Sequence, residues 1–175
     1  MIQEFSVENY LSISDKQTLS FVATSDKSNL EDVSVEVKPG LRLLRLALLY
    51  GANASGKSNV LFAIQTLWSL LFKPQAEEHA EIPFYSPFAL RKGEPTRFHV
   101  VFWALGRKYE YSIEYNRERI LGELMMYTTP GGVLSKLYER NEKGEISFGS
   151  TVSVKMNERN QLRAIRCLII RYFLH

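Results

Sequence analysis

The hydrophobic pattern changes period twice along this chain. Ile2 to Asn9 and Thr18 to Ala23 read as short strands around the turn SISDK, and a polar stretch, TSDKSNLEDVS, separates them from the next extended segment. Leu43 to Tyr50 (LLRLALLY) is nearly continuous in apolar residues, which predicts a parallel strand covered on both faces. From Ser58 to Phe72 the period becomes helical. Val60, Ile64, Leu67 and Leu71 share one face, Leu61, Phe62 and Trp68 widen it, and Pro74 stops the helix, so this segment is expected to be largely buried. Beyond Phe84 the period becomes two. In Lys108 to Tyr115, Tyr109, Tyr111, Ile113 and Tyr115 alternate with Glu110, Ser112 and Glu114. Arg97 to Leu105, Arg119 to Tyr127 and Leu134 to Glu139 look similar. The turn clusters RKGEP, LGRK, YNRE, TTPGG and NEKGE punctuate them, so an antiparallel meander is predicted.

Between the buried strand and the helix lies YGANASGKSNV, whose core fits G-x-x-x-x-G-K-[ST], a phosphate-cradling loop. Such a loop works because successive backbone N–H groups converge on a phosphate where a helix presents its positive dipole end. The candidate binding residues are Gly51, Ala52, Asn53, Ala54, Ser55, Gly56, Lys57, Ser58 and Asn59. Gly51 and Gly56 let the backbone approach the phosphates. Lys57 is expected to reach the β- and γ-phosphates, and the Ser58 hydroxyl to join a magnesium shell, so ATP and Mg²⁺ are the expected cofactors.

Hydrolysis also needs an oriented water and an Asp at the end of a second buried strand. The aspartates are Asp15, Asp26 and Asp32, all ahead of the loop. Glu110, Glu114 and Glu123 fall in alternating strands and read as solvated faces, so no catalytic residue is identified.

Composition adds limits. The 175 residues suffice for one domain with a sizeable core. No apolar run approaches the ~20 residues of a membrane span, and MIQEFSVENY lacks a signal-peptide design, so a cytoplasmic location is expected. The lone Cys167 precludes an internal disulfide and reads as a buried small hydrophobe; with His79, His99 and His175 it forms no metal-ligand spacing. The net charge of +3 is uneven. Lys155, Arg159, Arg163, Arg166 and Arg171 against Glu158 give the last 25 residues +4, and the rest of the chain carries −1. That tail reads as a solvated end rather than a nucleic-acid footprint.

The succession FSVENYLSISDKQTLSF, then the buried strand, then YGANASGKSN resembles the N-terminal half of ABC-class ATPase heads of the SMC and RecF type. Within that class it is most similar to bacterial AAA-family ATP-binding proteins of phage-defence and abortive-infection loci. SPFAL followed by TRFHVVFWALGRKYEYSIEYNRERILGELMMY is similar to the β-rich region of those proteins. The resemblance implies an α/β P-loop NTPase of the ABC-head type, partial, with an antiparallel β subdomain. Residues 1–150 would form its N-terminal lobe, with the P-loop core at 1–73, the β-rich region at 84–148 and the basic tail at 151–175. It further implies a second copy or a C-terminal ATPase half as partner, with DNA or an effector protein beyond that.

Several family features are missing. Leu11 follows the Asn9-Tyr10 pair where a basic residue is common, which puts base or ribose contacts from that turn in question. Gln75 and Gln65 do not form a glutamine switch loop, and the signature loop, the Asp-Glu strand end and the switch histidine are absent. The chain therefore reads as an N-terminal fragment with exposed apolar surface and a tendency to associate. A small P-loop kinase and a non-catalytic nucleotide-binding interaction module are the competing readings; the β meander and the lack of downstream aspartates argue against the kinase.

Overall fold

A computed structural model of the protein describes residues 1–24, 30–72, 82 and 84–150. The expectations for Cys167, His79, His175, Gln75, Pro74 and the basic tail fall outside these residues.

Seven strands form one sheet in the order β2-β1-β5-β6-β7-β8-β9. They are β1 (Ile2–Glu8), β2 (Gln17–Ser20), β5 (Thr96–Ala104), β6 (Arg107–Tyr115), β7 (Ile120–Thr128), β8 (Leu134–Arg140) and β9 (Ile146–Phe148). A separate ribbon pairs β3 (Ser34–Lys38) with β4 (Leu41–Leu44), behind the short helix α1 (Leu30–Val33). The long helix α2 spans Lys57–Phe72.

The meander follows from the period-two pattern. Antiparallel register puts Phe98 opposite Ile113, Val100 opposite Tyr111 and Phe102 opposite Tyr109, so their side chains share one face. The same face continues through Tyr127 and Met125 on β7 and Tyr138 on β8. Its rings pack in offset pairs, with centroids 5.2 Å apart for Phe102 and Tyr109 and 5.9 Å for Phe98 and Tyr115. On the other face, Glu110 pairs with Lys108 and Glu114 with Arg97, consistent with a solvated surface.

α2 joins this core through Ala63, Leu67 and Leu71, with Val60, Ile64 and Leu70 partly buried beside them. The core therefore takes one face of the helix. Leu61, Phe62 and Trp68 are 58%, 51% and 40% exposed, which corrects the expectation of a largely buried helix.

The predicted parallel strand is not formed. Leu41–Leu44 pairs antiparallel with β3, and residues 45–50 continue outside any strand with Leu48 76% and Tyr50 93% exposed. Every strand pair among the described residues is antiparallel. The physical reason is that a parallel strand needs parallel neighbours and helices on both faces, and among the described residues neither reaches this segment.

Candidate functional site

The loop Gly51–Gly56 runs from the exposed segment into the N-terminus of α2. Its shape needs positive φ. Gly56 sits at φ +89, a region open to glycine at little cost, and Ala54 holds a left-handed φ of +61. At Gly51, an added Cβ would come 3.1 Å from the Ser55 hydroxyl, so a side chain there would crowd the loop. The helix opens with backbone bonds from the Asn59 and Val60 amides to the Gly56 carbonyl. No acidic side chain lies in its first turn, so its positive end is free of internal neutralisation.

Lys57 folds back over its own loop. Its ammonium donates to the Gly51 carbonyl at 3.0 Å and the Ala52 carbonyl at 2.7 Å, with the Ser55 hydroxyl at 3.4 Å. The charge is thus held at the mouth of the loop by three neutral acceptors, which a phosphate would outcompete as an anionic partner. Ser58, the next residue of the helix, is exposed. A serine hydroxyl is a hard oxygen donor of the kind Mg²⁺ takes alongside its waters.

A cavity of about 670 Å³ adjoins the loop. It is lined by Gly51, Ser55, Gly56 and Lys57 of the loop and by Ser12, Ser14 and Asp15 of the turn between β1 and β2. The size is that of ordinary cofactor pockets, ~300–1,000 Å³. A second concavity of about 590 Å³ lies elsewhere on the sheet, along β1, β5, β6 and β7, where Arg97, His99 and Glu114 line it. It has no glycine loop and no helix N-terminus, so phosphate chemistry belongs to the first.

The wall formed by the turn is built from residues far apart in sequence. Asn9 is fully buried, in a left-handed conformation at φ +52 that asparagine tolerates. Its amide donates to the carbonyls of Arg91, Glu94 and Pro95 at 3.1, 2.8 and 3.2 Å, and its side-chain oxygen accepts the Phe88 amide at 2.9 Å. Tyr10 reaches α2, its hydroxyl 2.7 Å from that of Thr66. The Ser12 hydroxyl, 2.5 Å from the Asn59 amide nitrogen, ties the turn to the start of the helix.

Two acidic side chains depart from the expectations. Asp15, set aside because it precedes the loop, lines the cavity, with a carboxylate oxygen 3.8 Å from Arg91. Glu123, expected on a solvated face, is 9% exposed on the tyrosine face. It accepts hydrogen bonds from the Tyr111 and Tyr138 hydroxyls at 2.9 and 2.8 Å, and Arg140 lies 3.9 Å from its other oxygen. Burial pushes both phenols well above their usual range, and the adjacent carboxylate adds to the shift, so they remain neutral donors. Glu123 does not line the phosphate cavity. Among the described residues no three His, Cys, Asp or Glu side chains gather as a metal site, and no helix is long and apolar enough to cross a membrane.

No curated protein matches the chain. Residues 46–152 match the family model described as "AAA domain, putative AbiEii toxin, Type IV TA system", a span that covers the loop, α2 and the meander. That is more than half of the sequence, so the chain belongs to this family of P-loop AAA ATPase domains.

Proposed function

We propose that this chain is the Mg-ATP-binding half of an ABC-type, SMC/RecF-like ATPase head, and that turnover takes a second half supplied by C-terminal sequence or another copy. The observation that carries this reading is Lys57 poised over the glycine loop, at a helix N-terminus and beside a cavity of nucleotide size. Triphosphate oxygens would replace the loop carbonyls as partners of the Lys57 ammonium, and the loop amides would hold the β-phosphate. Ser58 would hold Mg²⁺, which supplies charge neutralisation across the β- and γ-oxygens.

The need for a second half is supported by two features. The carboxylate lining the cavity, Asp15, is 90% exposed on a turn and faces Arg91, a poor setting for a base aimed at a γ-phosphate. The exposed Leu46, Leu48, Leu61 and Phe62 offer apolar surface that a partner would cover. The family description associates such domains with toxin–antitoxin systems, and we infer phage defence as the setting, with DNA or an effector protein as the downstream partner.

The test is to titrate Mg-ATP into the wild type and Lys57→Ala and to follow phosphate release in single turnover. Lys57→Ala should weaken binding at least ~10-fold, because a charge-assisted bond contributes about 1.5–3 kcal/mol. Phosphate release by the chain alone should stay well below ~1 per second. Wild type that does not bind Mg-ATP would overturn the binding reading, and release at ~1 per second or faster would overturn the need for a second half.

A further inference from the structure

Two side-chain hydrogen bonds tie the turn between β1 and β2 to α2. The Asn59 amide donates to the Ser12 hydroxyl at 2.5 Å, and the hydroxyls of Tyr10 and Thr66, both buried residues, lie 2.7 Å apart. Asn59 and Thr66 are two helical turns apart, so they share one side of the helix, and bonds at both points keep it from pivoting about either. The first point is close to the glycine loop. Asn59 stands in the opening turn of α2, and the Ser12 hydroxyl comes 3.5 Å from where a Cβ on Gly56 would lie.

The turn is itself held in shape from behind. Leu11, between Tyr10 and Ser12, sits at φ +50, a left-handed setting that costs a branched side chain free energy and persists only where the surroundings impose it. The loop ahead of β5 imposes it. The Leu11 amide donates to the Ser86 carbonyl at 2.7 Å, and the Asn9 side chain bonds Phe88, Arg91, Glu94 and Pro95. Arg91 completes the latch. One of its terminal nitrogens donates to the Ser14 carbonyl at 2.8 Å, and the other lies 3.3 Å from Glu8 and also bonds Glu94.

This brace matters most when phosphate arrives. The Lys57 ammonium ties the Gly51 and Ala52 carbonyls together, and a phosphate that takes the ammonium as its partner removes that tie. The loop then depends on where α2 begins, which Ser12 fixes through Asn59. We infer that Ser12 and Asn59 are positioning residues that hold the glycine loop in its phosphate-receiving shape. Asn59 belongs to the candidate binding motif, yet its amide nitrogen is committed to Ser12, so it acts through the turn rather than by touching the nucleotide. The inference rests on the nucleotide-binding reading above and deepens it.

The experiment measures Mg-tripolyphosphate and Mg-ATP affinity by calorimetry on the full chain, for wild type, Ser12→Ala, Asn59→Ala, the double variant and Ser12→Thr. Each alanine variant should weaken both ligands about fivefold, the scale of one lost hydrogen bond. The double variant should fall within about twofold of either single one, because the same bond is lost only once. Ser12→Thr keeps the hydroxyl and should recover most of the affinity that Ser12→Ala loses, which a general loss of stability would not predict. Ser12 is exposed and its alanine removes one hydroxyl, so if Asn59→Ala fails to fold by circular dichroism, Ser12→Ala against Ser12→Thr decides. Losses that multiply in the double variant would put Asn59 on the ligand itself and overturn the inference. Alanine variants that bind both ligands as wild type does, or a threonine as weak as the alanine, would overturn it too. Wild type that binds neither ligand would instead overturn the nucleotide-binding reading itself.

Discussion

The meander and the segment around the glycine loop have similar apolar content and opposite fates. In β5 and β6, every other side chain from Phe98 to Tyr115 is buried, and the strands meet each other's backbone groups across a short turn. In 45–50 the run is just as apolar, yet Leu46 is 68% exposed and Tyr50 93%. The difference is in where the partners come from. Within the meander each antiparallel strand finds its neighbour across a short turn, whereas a parallel strand depends on distant segments that arrive through crossovers. Apolar content alone does not bury a strand; partners within reach do.

Hydrogen exchange should show the largest contrast. Amides of Val100 and Tyr111, in the middle of paired and buried strands, should exchange only through global opening, which costs about 5–15 kcal/mol in a typical domain. Leu48 lies outside any strand and should exchange with a local opening cost near zero. The rates are expected to differ by at least ~10⁴. Rates within tenfold of each other would mean that the sheet is no more cooperative than the loop segment.

Truncations should give the next largest difference. Leu67 is 4% exposed in the shared core, so Leu67→Ala is expected to cost about 2–5 kcal/mol through lost burial and the cavity left behind. Leu48→Ala should fall within about 0.5 kcal/mol of wild type in the isolated chain, because little contact is lost. Chemical denaturation of both variants decides it. A cost for Leu48→Ala approaching that for Leu67→Ala would show that something already covers the exposed run, leaving no apolar surface there for a partner to cover.

How much of this was legible in the sequence depends on range. Period-two alternation located the four long meander strands to within a residue or two, because that signal is local. The glycine loop and the helix after it were equally local. The burial of Glu123 was legible and overlooked: Glu123, Met125 and Tyr127 are two apart, so one face takes all three, and the Tyr111 and Tyr138 hydroxyls make the carboxylate tolerable there. Arg91 was not legible. Its contacts with Ser14 and Glu8 span 77 and 83 residues, and nothing local in RKGEP distinguishes a latch from a solvated turn. The strand expected at 43–50, which does not form beyond Leu44, is the converse case, a strong local apolar pattern whose burial depended on partners at long range.

The smallest expected effect concerns the face of the sheet that carries Glu110 and Glu114. His99 stands between Ser6 of β1 and Ser112 of β6, half-buried. Its pKa lies below the usual histidine value, chiefly because burial disfavours the imidazolium; Lys16 and Lys108 push the same way, while Glu110 and Glu4 oppose them. The unfolded chain therefore binds a proton at higher pH than the folded one does. Stability from this residue is fully present above the ordinary histidine pKa of about 6.5 and is lost as the pH falls toward the depressed folded value. Urea unfolding of wild type at pH 7 and pH 5 should show a loss that His99→Gln reduces, by only part of the total because the ring keeps substantial solvent contact. Since His99 does not line the phosphate cavity, affinity for tripolyphosphate should not follow the same substitution. An identical pH dependence in wild type and His99→Gln would remove His99 as a source of acid sensitivity. A parallel change in tripolyphosphate affinity would show that the sheet and the glycine loop are coupled, against the contrast drawn between them.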